Sequence, residues 1–126
     1  MAQVALNVIE AAPLPMPKPA AGGAFDRVHL ASVTFGDRSL ERELLELFDR
    51  QIVLLSERMR GAEAAAVAAL AHTLKGSAAG VGAFGVADAA AALEKAATMD
   101  RRREAMDALA QSATAARAEI ARMLAG

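Results

Sequence analysis

His72 is the side chain of this sequence whose surroundings best suit a chemical role. If residues 67–81 form a helix, which turns about 100° per residue, their apolar side chains fall on one stripe. His72 then points roughly 160° away from the centre of that stripe, towards water or a partner. Its neighbours three and four positions away are two alanines, Lys75 and Gly76, which leave the imidazole unobstructed. A histidine displayed in this way is typical of a phosphoryl acceptor.

Lys75 and Gly76 suit the same chemistry. An exposed imidazole is largely neutral at pH 7 and keeps one ring nitrogen free as a nucleophile. A transferred phosphoryl group adds roughly two negative charges, with which the Lys75 ammonium can pair. Gly76 lies on the His72 side of the helix, where glycine costs about 1 kcal/mol relative to alanine. We expect the offsetting gain to be close approach of a partner backbone, with packing against a neighbouring helix as the alternative.

The remaining motifs of an independent catalyst are missing from the sequence. It contains neither a nucleotide-binding P-loop nor a Ser/His/Asp set, and no second histidine is spaced for metal ligation. The glycines of residues 80–85 follow a predicted helix, so a dinucleotide fingerprint is not expected there. His29 has ordinary neighbours and is interpreted as a solvated or partly packed side chain. Phosphoryl transfer needs mainly positioning and charge neutralisation, so we predict a phosphoryl carrier without a cofactor.

Hydrophobic periodicity predicts the elements that position His72: four long helices preceded by one short helix. The short helix is predicted from an N-cap at Asp26 to Gly36, and the first long helix from an N-cap at Ser39 to Gly61. The next helices are predicted from Ala62 or Glu63 to about Val81, from Val86 to Ala97, and from a cap at Thr98 or Asp100 to Met123. The predicted fold is all-α. Because the connections are short, we expect an antiparallel up-down-up-down four-helix bundle with a short extra N-terminal helix.

Three apolar residues of the first long helix do not fit its core stripe. The stripe itself consists of Leu40, Leu44, Leu45, Phe48, Ile52, Leu55 and Met59. Leu47, Val53 and Leu54 fall outside it, and two interpretations stay open. They are either overflow of the core or an exposed apolar patch that docks a partner on the His72 side, with Glu46, Arg50 and Glu57 as a charged rim.

Composition places the chain in a broad class. Its 126 residues suit one domain, its net charge of −1 argues against nucleic-acid binding, and it has no cysteine. Neither a membrane-spanning run nor a signal peptide is visible, so we expect a cytoplasmic protein. Four prolines between residues 13 and 19 separate residues 1–24 from the domain at 25–126. That Pro-rich leader is interpreted as flexible, or else as a tether or partner-binding arm.

The segment A-H-T-L-K-G-S-A-x-x-x-G-A, residues 71–83, resembles the signature of the histidine phosphotransfer (HPt) domain. Phe35 to Asp37, Glu43 to Phe48 and Ala90 to Glu94 extend the resemblance. It implies that His72 is phosphorylated and that Lys75 and Gly76 are the family's neighbouring lysine and glycine.

The same resemblance implies the partners. HPt domains exchange phosphoryl groups with response-regulator receiver domains and with sensor or hybrid histidine kinases in bacterial phosphorelays. Mg²⁺ is then expected on the receiver only. Because the chain has no room for kinase or receiver domains, it resembles the stand-alone form, and a monomer is expected. The alternative is an interaction module that binds a receiver or kinase without being phosphorylated.

Overall fold

The computed structural model describes residues 24–126, and these form helices without any strand. The helices are α1 (Arg27–Val33), α2 (Arg38–Met59), α3 (Ala64–Val81), α4 (Phe84–Lys95) and α5 (Met99–Ala125). The prediction of an all-α fold with four long helices after one short helix is therefore confirmed. The interpretation of the Pro-rich leader concerns residues that lie outside the described range, apart from residue 24.

Side-chain caps explain where three of the helices begin. Asp26 accepts a hydrogen bond from the backbone N–H of His29, as predicted, and Thr98, one of the two caps predicted for α5, accepts one from the N–H of Arg101. The prediction that Ser39 caps α2 is wrong, because the carboxylate of Asp37 accepts the Leu40 N–H at 3.1 Å. Left-handed backbone at residues 35 and 36 turns the chain just before Asp37, which allows the helix to start earlier.

The core is built mainly from the predicted stripes. On α2, Leu45, Phe48, Ile52, Leu55 and Met59 are buried, and Phe25 packs edge-on against Phe48 with ring centroids 6.1 Å apart. Leu40 is a correction, because it is 38% exposed. It stands seven residues before Leu47, and seven residues of a helix return to nearly the same direction. Leu40 and Leu47 therefore lie along the same exposed edge of α2.

Helix α3, which carries His72, packs against α2 on one side and α4 on the other. The connection from α3 to α4 is only Gly82 and Ala83, and Gly82 has a left-handed φ of 84°. The N–H of Ala83 reaches back to the carbonyl of Ala78 at 2.8 Å, which closes the end of α3. A reversal this tight holds the two helices side by side.

The remaining helices close the bundle. Helix α5 packs against α4 and α2, and it meets α2 through Arg117 with Asp49 at 2.8 Å and Arg42 with the Leu124 carbonyl at 2.9 Å. Residue numbers rise on one helix as they fall on the other, as expected of antiparallel neighbours. The antiparallel arrangement of the bundle as a whole stays a prediction.

Candidate functional site

His72 lies in the middle of α3 with its side chain 64% exposed. The opposite face of the helix is buried through Val67, Ala71, Leu74, Ala78 and Val81, which are the residues predicted for its core stripe. The helix therefore presents the imidazole outward, where a second protein can reach it.

A carboxylate from the next helix contacts the imidazole. Oε2 of Glu94, on α4, lies 2.8 Å from Nδ1 of His72. Its other oxygen, Oε1, lies 2.9 Å from the Lys75 ammonium. Lys75 is therefore the charged neighbour of His72 within α3, and Glu94 on α4 joins His72 and Lys75 into one network.

The Glu94 carboxyl is held in its ionised form. The contact with Lys75, and then the hydrogen bond with His72, lower the pKa of Glu94, while partial burial opposes them. Oε1 is shielded from water and Lys75 reaches it without forming a well-aligned hydrogen bond, so this contact is best described as an ion pair. The side chain as a whole is 26% exposed.

The state of Glu94 decides which ring nitrogen is free. An ionised carboxylate can only accept hydrogen bonds, so Nδ1 of His72 must be the donor. In a neutral imidazole the other nitrogen, Nε2, then carries the lone pair. Because Nδ1 is occupied by Glu94, Nε2 is the ring nitrogen that keeps an unshared lone pair.

Gly76 lies on the exposed side of α3, one turn after His72. A Cβ built at this position would meet no atom within 4 Å, apart from the local backbone of the helix itself. Packing within the bundle therefore does not require glycine here. The alternative that Gly76 serves a helix contact loses its support.

His29 is not part of this cluster. Its Nε2 is 3.1 Å from the carbonyl oxygen of Gly80, and its ring stands edge-on to Phe84 with centroids 5.4 Å apart. It holds α1 against the end of α3, in agreement with the interpretation of a partly packed histidine. Among residues 24–126, no three His, Asp or Glu side chains gather where they could hold a metal ion.

Sequence reasoning missed the contact of Glu94, although a signal for it was present. Ala83 ends a two-residue turn, and Glu94 follows it by eleven residues while His72 precedes it by eleven. In a tight helical hairpin, residues equidistant from the turn come level with each other. The position of the turn could therefore have paired the two side chains.

The three unassigned apolar residues of α2 separate into two groups. Leu47 is 56% exposed and Leu54 is 48% exposed, which excludes overflow of the core for both. Val53 is half-buried, and together with Leu47 and Leu54 it lines a groove with Asp49 and Arg117 on the α5 side of α2. Of the three, Leu47 also lines a groove that reaches Ser77 and Gly80 on α3.

Comparison with known families gives one match. The model of the Hpt domain matches residues 39–126, which include α3, α4, α5 and nearly all of α2. No curated protein and no solved structure matches the chain. None of the helices formed by residues 24–126 is long and apolar enough to cross a membrane.

Proposed function

This chain belongs to the Hpt domain family, and we propose that it accepts a phosphoryl group on Nε2 of His72 and passes it to or from a receiver aspartate. Hpt domains act in phosphotransfer within two-component signalling, where receivers and histidine kinases are their partners. The observation that carries the residue assignment is the hydrogen bond between Nδ1 of the exposed His72 and the Glu94 carboxylate.

The chemical step uses the free lone pair of Nε2. Nε2 attacks the phosphorus of a receiver aspartyl phosphate, a new N–P bond forms, and the bond from phosphorus to the aspartate oxygen breaks. The aspartate leaves as a carboxylate, and the ring gains a positive charge while Nδ1 keeps its proton. Glu94 accepts the hydrogen bond from that N–H and compensates the charge. In the reverse step the ring leaves as a neutral imidazole.

Lys75 serves the phosphoryl oxygens in this proposal. An ammonium has three N–H donors, and Glu94 occupies only part of that capacity. Because Lys75 lies one turn from His72, the remaining donors can pair with the negative charge that arrives on Nε2. The charges of the receiver's own site are neutralised by groups of the receiver, including any Mg²⁺ bound there.

The test is phosphoryl transfer from a phosphorylated receiver. We expect the wild-type protein to gain an acid-labile, base-stable label, and His72→Gln to gain none. His29→Gln, which changes the only other histidine, is the matched control and should label normally. Phosphorus NMR should place the group on Nε2. A labelled His72→Gln variant refutes the assignment, and a wild-type protein that binds the receiver without being labelled favours the interaction-module alternative.

A further inference from the structure

An open groove runs along α2 on the side of that helix that faces α5. Its volume is about 810 Å³, and its apolar lining consists of Leu47, Leu54 and, between them, the half-buried Val53. The ion pair of Asp49 with Arg117 joins the two helices at this groove. We call this cavity the α2/α5 groove. Exposed apolar side chains gathered in a concave surface are characteristic of a site that another polypeptide segment covers.

The sequence supplies an apolar segment outside the described residues. Residues 4–9 read V-A-L-N-V-I, in which Asn7 is the one polar side chain. Residues 10–23, with four prolines and two glycines, separate them from the domain. We call residues 4–9 the apolar segment and residues 10–23 the spacer. Removal of such an apolar run from water is favourable, so a groove with apolar walls is a suitable site for it.

We propose that the apolar segment docks in the α2/α5 groove of its own chain, with the spacer as its tether. The first described residues place the end of the spacer next to that groove. Phe25 packs edge-on against Phe48, with ring centroids 6.1 Å apart. Phe48 stands in the sequence between Leu47 and Asp49, which both line the groove. The spacer is therefore attached beside one end of the groove.

The length of the spacer matches the distance that it has to cover. The groove extends along α2 from Leu47 to Glu57, which is about 15 Å, and a helix with its side chains is about 10–12 Å wide. The centre of the groove is therefore roughly 15–20 Å from Phe25. The spacer would span about 20 Å as a random coil and about 43 Å as a polyproline helix. A tether that matches the span in this way gives a millimolar effective concentration, so a weak contact suffices for docking.

Charge complementarity gives the docked segment a direction. Glu10 directly follows the apolar segment and is the only Asp, Glu, Lys or Arg among residues 2–17. Arg50 is exposed at the groove, near the attachment of the spacer, and forms no ion pair with any of residues 24–126. Since the spacer must return from Glu10 to the domain, Glu10 lies at the Arg50 end and Val4 lies towards Glu57. Opposite charges then meet, which fixes the orientation.

Paramagnetic broadening of NMR signals tests the docking on the whole chain. The sequence contains no cysteine, so one introduced cysteine directs a nitroxide label to one position. A label at Ala2→Cys should cause loss of the amide signal of Leu54, while the signal of Val28, exposed on α1 near the attachment, should persist. A label at Ala11→Cys should instead cause loss of the signal of Arg50.

Substitutions in the leader identify the side chains that make the contact. Leu6→Asp combined with Val8→Asp, in the protein labelled at residue 2, should restore the signal of Leu54. Met16→Asp is the matched control, because it adds the same charge to the spacer and leaves the apolar segment intact. The loss of the Leu54 signal should persist in that variant. All of these substitutions lie outside residues 24–126, so the folded domain is the same in each sample.

Three results would each overturn the proposal. If Val28 loses at least as much signal as Leu54, the segment samples the surface nearest its attachment and does not dock. If Leu6→Asp with Val8→Asp leaves the pattern unchanged, the apolar side chains do not make the contact. If signal is lost from isotope-labelled molecules without nitroxide that are mixed with nitroxide-labelled ones, the segment occupies the groove of a second copy. The experiment involves no phosphoryl transfer, and His72→Gln should give the same pattern, so failure of the proposed function leaves this test unaffected.

Discussion

Replacement of Gly76 by alanine should make the isolated domain more stable. Gly76 lies inside α3 with an ordinary helical backbone, and a Cβ there meets no atom within 4 Å beyond the local helix. The substitution therefore introduces no clash and buries no new surface. What remains is the intrinsic difference between glycine and alanine in a helix, about 0.5–1 kcal/mol. For a domain of this size, that gain raises Tm by about 2–8 °C.

Gly82→Ala is the matched control, because it should have the opposite sign. Gly82 has φ 84°, and its added Cβ would lie 3.0 Å from the Asp26 carbonyl oxygen and 3.3 Å from Cδ2 of His29. The left-handed backbone alone costs an alanine about 1–2 kcal/mol, before the contact with the Asp26 backbone is relieved. Gly76→Ala thus measures helix propensity alone, while Gly82→Ala measures the cost of the left-handed backbone and of the close contacts.

Urea unfolding followed by circular dichroism measures both effects as free energies of unfolding, provided that the m-values agree. A less stable Gly76→Ala variant would refute the reasoning, since it would show that position 76 cannot accept a side chain even without a partner. Gly76→Gln adds the functional half of the argument. It should remain folded, but its long side chain stands beside His72 and should slow transfer by about tenfold, equivalent to 1.4 kcal/mol at the transition state.

Three further predictions follow from individual contacts. Glu94→Ala should slow transfer by about tenfold at unchanged receiver affinity, by analogy with carboxylates that orient metal-ligating histidines, and phosphorus NMR should then detect phosphate on both ring nitrogens. Asp37→Ala should lower the free energy of unfolding by about 1 kcal/mol, while Ser39→Ala should change it by less than about 0.5 kcal/mol. Hydrogen bonds from Arg27 and then from Arg122 lower the pKa of Glu119. The contribution of Glu119 to the free energy of unfolding is therefore present above the unfolded pKa of about 4.3, and it is lost as the pH falls through the lower folded pKa. Glu119→Gln should therefore be about 1 kcal/mol less stable than wild type at pH 7, and this difference should shrink as the pH falls below about 4.3, by thermal unfolding at each pH.

Hydrophobic periodicity was enough to predict the helices, because each helix buries one face and its apolar residues therefore recur at helical spacing. The core stripe of α3 and the caps Asp26 and Thr98 follow from local rules that involve only neighbouring residues. Leu40 was misassigned because it lies four residues before Leu44 and so continues the stripe, while its exposure of 38% depends on which helices cover the first turn of α2. Ser39 was preferred to Asp37 because the turn at residues 35 and 36, with its left-handed backbone, was not foreseen.

The features of the candidate site also fall into two groups, those that a single helix determines and those that depend on how two helices are joined. The exposure of His72 and the position of Gly76 are properties of a single helix, and helical geometry predicted both. The contact of Glu94 depends on how α3 and α4 are joined, so the sequence signal for it lies in the turn between the helices and not in the residues beside His72. Its discovery required the length of the connection at Gly82 and Ala83.

The hairpin of α3 and α4 makes the orientation of the His72 imidazole depend on buried residues between the two helices. The orientation of the imidazole depends on a carboxylate across the hairpin, whose buried residues include Ala71 and Ala78 on one helix and Ala87 and Ala90 on the other. Since the spacing of two helices follows the size of the side chains between them, a larger residue there would carry Glu94 away from its 2.8 Å contact with His72. Substitutions on the outer edge of α2 leave that spacing untouched. A lineage could therefore vary the exposed surface of α2 while the contact between His72 and Glu94 stays constant, and lose that contact through a single methyl group added between the two helices.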